Sequence, residues 1–291
     1  MAMDKISPRL RCGLYVPDFG KSAYPRTMAN LAREAEQAGW DGFFLWDHIL
    51  EWDKWVPVFD SFTNLAAISM STERIRIGTA VTPIPRLKPW TVAKQVATLD
   101  HLSTGRMILG AGLGNVESTD YARFGESADT KVLAQKLDES LEIMTGLWSG
   151  KPFRFSGRHY HIKETVFLPT PLQKPRVPIW VGGTWPHAGP FRRAARWDGL
   201  IPIVAPEELP KPSDICQIVG YLKKLRPTME GFEVVAINGT AGVSKEADSQ
   251  KVSQFAEAGV TWWLESLYTM RDSPERMLAR IRRGPPKVTE D

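Results

Sequence analysis

The chain has 291 residues, of which 43% are apolar and 24% are charged, and its formal net charge is +4. This composition indicates a globular protein that buries a full core, and it excludes a chain too polar to fold. The basic residues are scattered or recur at helical spacing without interleaved aromatic residues, which argues against a nucleic-acid-binding surface.

The first half of the chain alternates short apolar runs with segments of helical periodicity. Continuously apolar runs of this length are typical of buried parallel strands. In the segment 131–148, leucines recur on one face of a helix, which predicts an amphipathic helix. We predict strands at 11–16, 42–46, 75–81 and 107–109, and helices at 25–38, 60–70, 88–103 and 131–148.

The second half of the chain repeats this alternation after an interruption. The segment 150–176 is rich in aromatic residues, proline and glycine, which predicts an insertion that forms its own hairpin. We predict further strands at 178–181, 199–204, 232–237 and 259–264, and helices at 186–196, 213–225, 245–258 and 274–281. With eight strand–helix pairs and no break in composition, we expect residues 1–291 to form one α/β domain. Its expected fold is a single (β/α)8 TIM-type barrel with an insertion after the fourth helix.

The stretch 74–114 reads as a strand, a helix and a parallel strand, and both strands end in small residues. Because small residues let a flat ligand lie on the backbone, this unit predicts a site for a ring-shaped cofactor. The GAGLG run at 110–114 is not a dinucleotide fingerprint, because Asn115 occupies the position of the third glycine. A glycine-rich turn without a ligand is the alternative.

The motif WDHILEW at 46–52 places His48 directly after an apolar strand. In a barrel, the active site lies at the carboxyl ends of the strands, so this imidazole should project into the mouth. Histidine exchanges protons near neutral pH, so we predict that His48 is catalytic and that Trp52 shapes its pocket. The alternative is that His48 only caps the loop.

Two further motifs suggest ligands. Gly182, Gly183 and Thr184 precede a predicted helix, where free N–H groups favour a phosphate; a plain turn capped by Thr184 is the alternative. His159 and His161 have the spacing of a metal pair, but they lie in the insertion and lack partners at plausible spacing. We therefore predict no metal site, and a metal-dependent barrel hydrolase would require zinc at these two histidines.

Four segments stand out in this order: GWDGFFLWDHI (39–49), ERIRIGTAVTP (73–83), ATLDHLSTGRMILGAGLG (97–114) and PIWVGGTWPHAGPFRRAARWDGLIP (178–202). Together they resemble the luciferase-like monooxygenases, the bacterial luciferase-like flavin and deazaflavin oxidoreductases. The resemblance extends over roughly residues 10–265.

This resemblance implies a barrel that holds FMN, or the deazaflavin coenzyme F420, with its ring over the strand ends. By position, His48 matches a histidine near the reactive edge of the ring. A cis peptide is expected at Ala80–Val81 in the strand that buttresses the ring. The implied cofactor contacts are Thr79, Ala80, Val81, Gly112, Gly114, Asn115, Gly182, Gly183 and Thr184. Deazaflavin-dependent sugar-phosphate dehydrogenases of the family carry a glutamate where Asn115 stands, with Glu117 two residues later here, so a dehydrogenase of that type is not expected.

The resulting functional prediction is a flavin-dependent oxidoreductase or monooxygenase that acts on a small organic substrate with reduced FMN, with oxygen as a candidate co-substrate. A deazaflavin-dependent hydride-transfer enzyme is the first alternative, and a non-catalytic flavin-binding barrel is the second. The resemblance also implies a homodimer and, for the oxygen-using reaction, a separate flavin reductase as partner. The N-terminus lacks an apolar signal core, no stretch approaches a membrane span, and the two cysteines lie far apart. We therefore expect a cytoplasmic protein with no membrane partner.

Overall fold

The computed structural model describes residues 10–51, 55–115, 119–205, 208–240, 244–270 and 272–287. The strands are β1 Arg11–Val16, β2 Gly42–Leu45, β3 Arg76–Pro83, β4 Met107–Gly112, β5 Phe153–Ser156, β6 His161–Thr165, β7 Ile179–Trp185, β8 Gly199–Val204, β9 Glu233–Asn238 and β10 Trp262–Ser266. The helices are α1 Pro25–Gln37, α2 Ser61–Ser71, α3 Pro89–Leu102, α4 Thr119–Ala122, α5 Thr130–Trp148, α6 Ala188–Ala194, α7 Pro212–Leu225, α8 Lys245–Glu257 and α9 Pro274–Arg282. Within these ranges, no helix combines the length and the apolarity that a membrane crossing requires.

In the described part of the chain, eight parallel strands close into a barrel in the order β1-β10-β9-β8-β7-β4-β3-β2. Because the strands are parallel, all their carboxyl ends lie at one rim, which is hereafter called the mouth. The predicted TIM-type barrel is therefore confirmed. The two-stranded antiparallel sheet of β5 and β6 lies between α5 and β7 in the sequence, which confirms the predicted insertion after the fourth barrel helix.

Helix ends follow local signals that the sequence contains. Asp129 precedes α5, and its carboxylate accepts hydrogen bonds from the N–H groups of Lys131 and Val132. Ser244 and Ser273 cap α8 and α9 in the same way. Such caps satisfy N–H groups that the first turn of a helix leaves unpaired.

Around the mouth, the structure differs from the prediction in the bounds of β7 and α6 and in an additional short helix, α4. β7 continues to Trp185 rather than ending at 181, because its glycines keep pairing with β8, with Gly182 opposite Ile201 and Gly183 opposite Pro202. α6 is correspondingly short and begins only at Ala188. The short helix α4 was not predicted, since four residues are too few to show a periodic pattern.

Aromatic residues fill the interior of the barrel below the mouth. Phe44 stacks on Trp180 with ring centroids 5.0 Å apart, and Trp180 meets Trp262 edge-on at 5.4 Å. Gly42 makes this packing feasible, because a Cβ there would lie 2.5 Å from the Phe44 ring and 2.8 Å from the Trp262 ring. The filled interior restricts ligand binding to the mouth.

Candidate active site

The side chain of Val81 lies between two glycines at the ends of β4 and β7. A Cβ built on Gly112 would lie 2.7 Å from Val81 Cγ2, and one built on Gly182 would lie 3.2 Å from Val81 Cγ1. Val81 therefore occupies the space that larger residues at these positions would fill. We call Val81, Gly112 and Gly182 the Val81 platform.

The backbone around Val81 departs from regular pairing. The Ala80–Val81 peptide is cis, as predicted. The register between β3 and β4 shifts between Thr79 and Thr82. The Thr79 hydroxyl donates to Gly110 O at 3.1 Å, and the Thr82 hydroxyl donates to Thr79 Oγ1 at 2.9 Å. Thr79 is fully buried, and these two hydrogen bonds stabilise the irregular segment on the side away from the mouth.

The remaining predicted contacts lie in different surroundings. Gly114 has a φ of +72° and lies against Pro83, and Asn115 is exposed. Gly183 lies against Pro190 of α6, whereas Gly182 lies against Val81. Thr184 is half-buried within β7 rather than in a turn before a helix. The predicted Trp52 and the alternative acid Glu117 lie outside the described residues.

His48 lies in the loop after β2, where two aspartates hold it. Its backbone N–H donates to Asp18 Oδ2 at 2.7 Å, and its Nδ1 lies 3.0 Å from Asp120 Oδ2. The other oxygen of Asp120 accepts from the N–H groups of Ile49 at 3.0 Å and Leu50 at 3.1 Å. Because an ionised carboxylate only accepts hydrogen bonds, Nδ1 is the donor in the contact with Asp120.

Arg86 completes this arrangement from the segment after β3. Its Nη1 donates to Asp120 Oδ2 at 3.0 Å, and its Nη2 donates to Asp47. Arg86, Asp47 and Asp120 are all at least nine-tenths buried. We call His48, Asp120, Arg86 and Asp47 the His48 network.

The charges in and around the network shift the pKa values of His48 and Asp120 in opposite directions. Burial alone would lower the pKa of His48, but the hydrogen bond to Asp120 and the charge of Asp18 outweigh it and raise the pKa. Burial would raise the pKa of Asp120, but the hydrogen bond from His48 and the N–H groups of the loop hold it below its ordinary value. Near neutral pH, the structure therefore favours a protonated imidazole beside an ionised carboxylate.

Asp18 lies behind His48 and has a different environment. The residue is fully buried, and burial raises the pKa of its carboxyl group to about 7. Its Oδ1 has no hydrogen-bond partner among the described residues. Asp18 is consequently a second titratable group close to His48.

Aromatic rings form a wall next to His48. Tyr15 stacks on Trp46 with ring centroids 5.0 Å apart, and Trp46 stacks on Tyr268 at 5.3 Å with an interplanar angle of 4°. Phe19 meets Trp46 edge-on at 5.6 Å. A flat or apolar ligand would find stacking surfaces here.

A cavity of about 260 Å³ lies on the side of His48 that faces α2 and α3. Its lining combines apolar side chains with members of the His48 network. It includes Asp47, His48, Phe59, Phe62, Arg86 and Gln95. A small organic molecule fits in this volume.

The two histidines of the insertion bond different neighbours. His159 Nε2 lies 3.1 Å from Gln135 Oε1, and His161 Nδ1 lies 3.3 Å from Ser156 Oγ. In the described ranges, no cluster of three or more histidine, cysteine or acidic side chains is arranged to hold a metal ion.

Sequence reasoning missed Asp18, Arg86 and Asp120. Asp18 and Arg86 each follow the end of a strand closely, which is a usable signal for a residue at the mouth. Asp120 carries no such signal, because its contact with His48 joins residues 72 positions apart.

Comparison with known proteins gives both sequence and structural relatives. The family model described as luciferase-like monooxygenase matches residues 9–209. An F420-dependent glucose-6-phosphate dehydrogenase of Microbacterium testaceum is 33% identical over 169 residues, which cover 56% of this chain and 48% of that protein. The chain thus spans about half the length of that relative. An uncharacterized protein of Mycobacterium bovis is 31% identical over 233 residues, or 78% of this chain and 75% of the relative.

Solved structures share the fold at low sequence identity. An F420-dependent secondary alcohol dehydrogenase, in complex with an F420-acetone adduct, has a TM-score of 0.75 and 17% identity, covering 94% of this chain and 99% of its own. A type II Baeyer-Villiger monooxygenase from Pseudomonas putida, the oxygenating constituent of 3,6-diketocamphane monooxygenase in complex with FMN, has a TM-score of 0.76 and 15% identity, covering 97% and 100%. At these identities the likeness establishes the fold alone.

Proposed function

Because the chain belongs to the luciferase-like monooxygenase family, we propose that it is an oxidoreductase that binds a flavin-type cofactor at the barrel mouth and acts on a small organic substrate. The observation that carries this proposal is the Val81 platform, which shares the mouth with the His48 network. The Val81 side chain lies directly against Gly112 and Gly182, so it forms an apolar surface on which a flat ring can rest.

The residues at the mouth fit such a ring. Val81 supplies an apolar support, and Thr79 holds the segment behind it through Gly110. Gly182 and Thr184 would contact the side chain of the cofactor, which leads from the ring to the phosphate. Gly114, Asn115 and Gly183 would lie at the edge of the same site. When bound, the cofactor supplies the two-electron chemistry, while the protein supplies position and charge.

His48 is the group proposed to exchange a proton with the substrate. Its pKa is raised, so it can donate a proton near neutral pH and accept one in the reverse direction. The aromatic wall of Tyr15, Trp46 and Tyr268 would hold an apolar part of the substrate and exclude water. Trp52 is proposed to close the same pocket.

Two versions of the reaction follow from the two cofactors. With reduced FMN and oxygen the protein would be a monooxygenase, and a separate flavin reductase would supply the reduced cofactor. With the deazaflavin, hydride transfer would need no oxygen; the names of the curated dehydrogenase relatives favour this version. Asn115 in place of a family glutamate argues against a sugar phosphate as its substrate. A homodimer and a cytoplasmic location are proposed on the sequence alone.

The test is turnover of a panel of small alcohols, aldehydes and ketones by the purified chain. The panel is run with F420 in the absence of oxygen, and with reduced FMN in its presence. We expect the variant His48→Gln to bind the cofactor normally and to lose most turnover. Binding without turnover in both proteins would instead identify a non-catalytic flavin-binding barrel.

A further inference from the structure

The contacts of Asp120 extend beyond the ring of His48. One oxygen bonds the ring and the other bonds the N–H groups of Ile49 and Leu50, so a single carboxylate fixes both the imidazole and the loop that carries it. Asp120 is 98% buried, and Arg86 supplies the positive charge that compensates it. This buried, hydrogen-bonded arrangement differs from a solvated surface ion pair, whose geometry varies and whose energy is small.

We propose that Asp120 is the positioning residue of the active site, which fixes the imidazole of His48 in one orientation and one tautomer through Nδ1. This inference rests on the proposed function only in that His48 is the proton-exchanging group. Asp120 itself acts on the substrate through the imidazole alone. Because Nδ1 donates to Asp120, the proton exchanged with the substrate is carried by Nε2.

The groups around His48 make this assignment specific. Four charged side chains come from the elements packed against the ring: Asp18, Asp47, Arg86 and Asp120. Among the hydrogen bonds of the described residues, the carboxylate of Asp18 bonds His48 only at its backbone N–H group and not at the ring. Arg86 and Asp47 pair with each other, and Arg86 reaches the ring through Asp120. Of these four side chains, Asp120 is the one that forms a hydrogen bond with the imidazole in the described part of the chain.

The first test uses the unmodified chain. The protein has five histidines, and ¹⁵N-labelled imidazole signals can be assigned to His48 by comparison with His48→Gln. We expect the neutral ring of His48 to carry its proton on Nδ1, the tautomer that free histidine disfavours. A ring that carries the proton on Nε2 instead would overturn the proposal, and this result does not depend on the folding of any Asp120 variant.

The second test is the substitution Asp120→Asn, with Asp138→Asn as the matched control. Asp138 pairs with Arg193 and Arg196 between α5 and α6, away from His48. We expect the pKa of His48 to fall in Asp120→Asn, because the hydrogen bond to an ionised carboxylate is lost, and to stay unchanged in the control. The pH profile of kcat should shift by the same amount, and Asp120→Glu should restore part of it.

These measurements separate the two proposals. If the pKa and tautomer of His48 depend on Asp120 but no cofactor supports turnover, the positioning role stands and the proposed function fails. If turnover occurs but the pKa of His48 is the same in Asp120→Asn, the positioning role is refuted and the proposed function stands.

Discussion

Asp18 provides a quantitative prediction about pH and stability. Burial raises its pKa from an ordinary 3.8 to about 7. Between these two pH values, the folded chain keeps a proton that the unfolded chain has released. The contribution of Asp18 to the free energy of unfolding therefore falls as the pH rises from about 4 to about 7.

The size of this effect follows from the shift. One pKa unit corresponds to about 1.4 kcal/mol, so a shift of about three units costs roughly 4 kcal/mol at pH 8. Asp18→Asn removes the titration and keeps an oxygen that can accept from the N–H group of His48. Relative to wild type, the variant should thus gain roughly 4 kcal/mol between pH 4 and pH 8.

The assay is urea unfolding at several pH values between 4 and 8, followed by circular dichroism. The difference between wild type and Asp18→Asn isolates Asp18 from the other titrating groups, including His48. Gly220→Ala, which removes no titratable group and places its Cβ where nothing lies within 4 Å, serves as the control, and its difference from wild type should stay constant across this range. A constant difference between wild type and Asp18→Asn across this range would refute the reasoning.

Two other substitutions test the platform and its support. Gly112→Ala forces Val81 to move, because its Cβ would lie 2.7 Å from Val81 Cγ2; since the displaced side chain disturbs the surface for the ring, we expect cofactor binding to weaken at least several-fold, measured by fluorescence titration. The control Gly220→Ala, in α7, places its Cβ where nothing lies within 4 Å, and unchanged binding is expected. Thr79→Val removes the buried hydroxyl that donates to Gly110 O and accepts from the Thr82 hydroxyl, so it should lower the free energy of unfolding by about 1–3 kcal/mol, measured in urea. Equal stability of Thr79→Val and wild type would contradict the stabilising role of Thr79.

The barrel could be predicted from the sequence because its signals are local. Continuous apolar runs and helical periodicity depend on near neighbours, so the eight strands and the major helices follow directly. The ends of the strands were harder to place. β7 continues through Gly182 and Gly183 because β8 pairs with them, and a partner strand is not visible in a local pattern.

The residues of the site likewise fall into those with a local sequence signal and those without one. His48 was found because it directly follows an apolar strand, and the cis peptide at Ala80–Val81 was expected from the family resemblance. Asp120 was missed because its contact with His48 forms only when two distant segments meet at the mouth. Residues joined across the fold in this way carry no periodic or positional signal in one sequence.

The measurement that tests the central claim most directly is titration of the purified chain with FMN and F420, each oxidised and reduced, followed by fluorescence. The wild type and the Gly220→Ala variant should bind one of the two at micromolar concentration, whereas Gly112→Ala should bind it at least several-fold more weakly. Binding of reduced FMN would favour the oxygen-using reaction, and selective binding of F420 would favour hydride transfer. If neither cofactor bound, or if Gly112→Ala bound as tightly as wild type, the assignment of the Val81 platform as the cofactor site would be wrong.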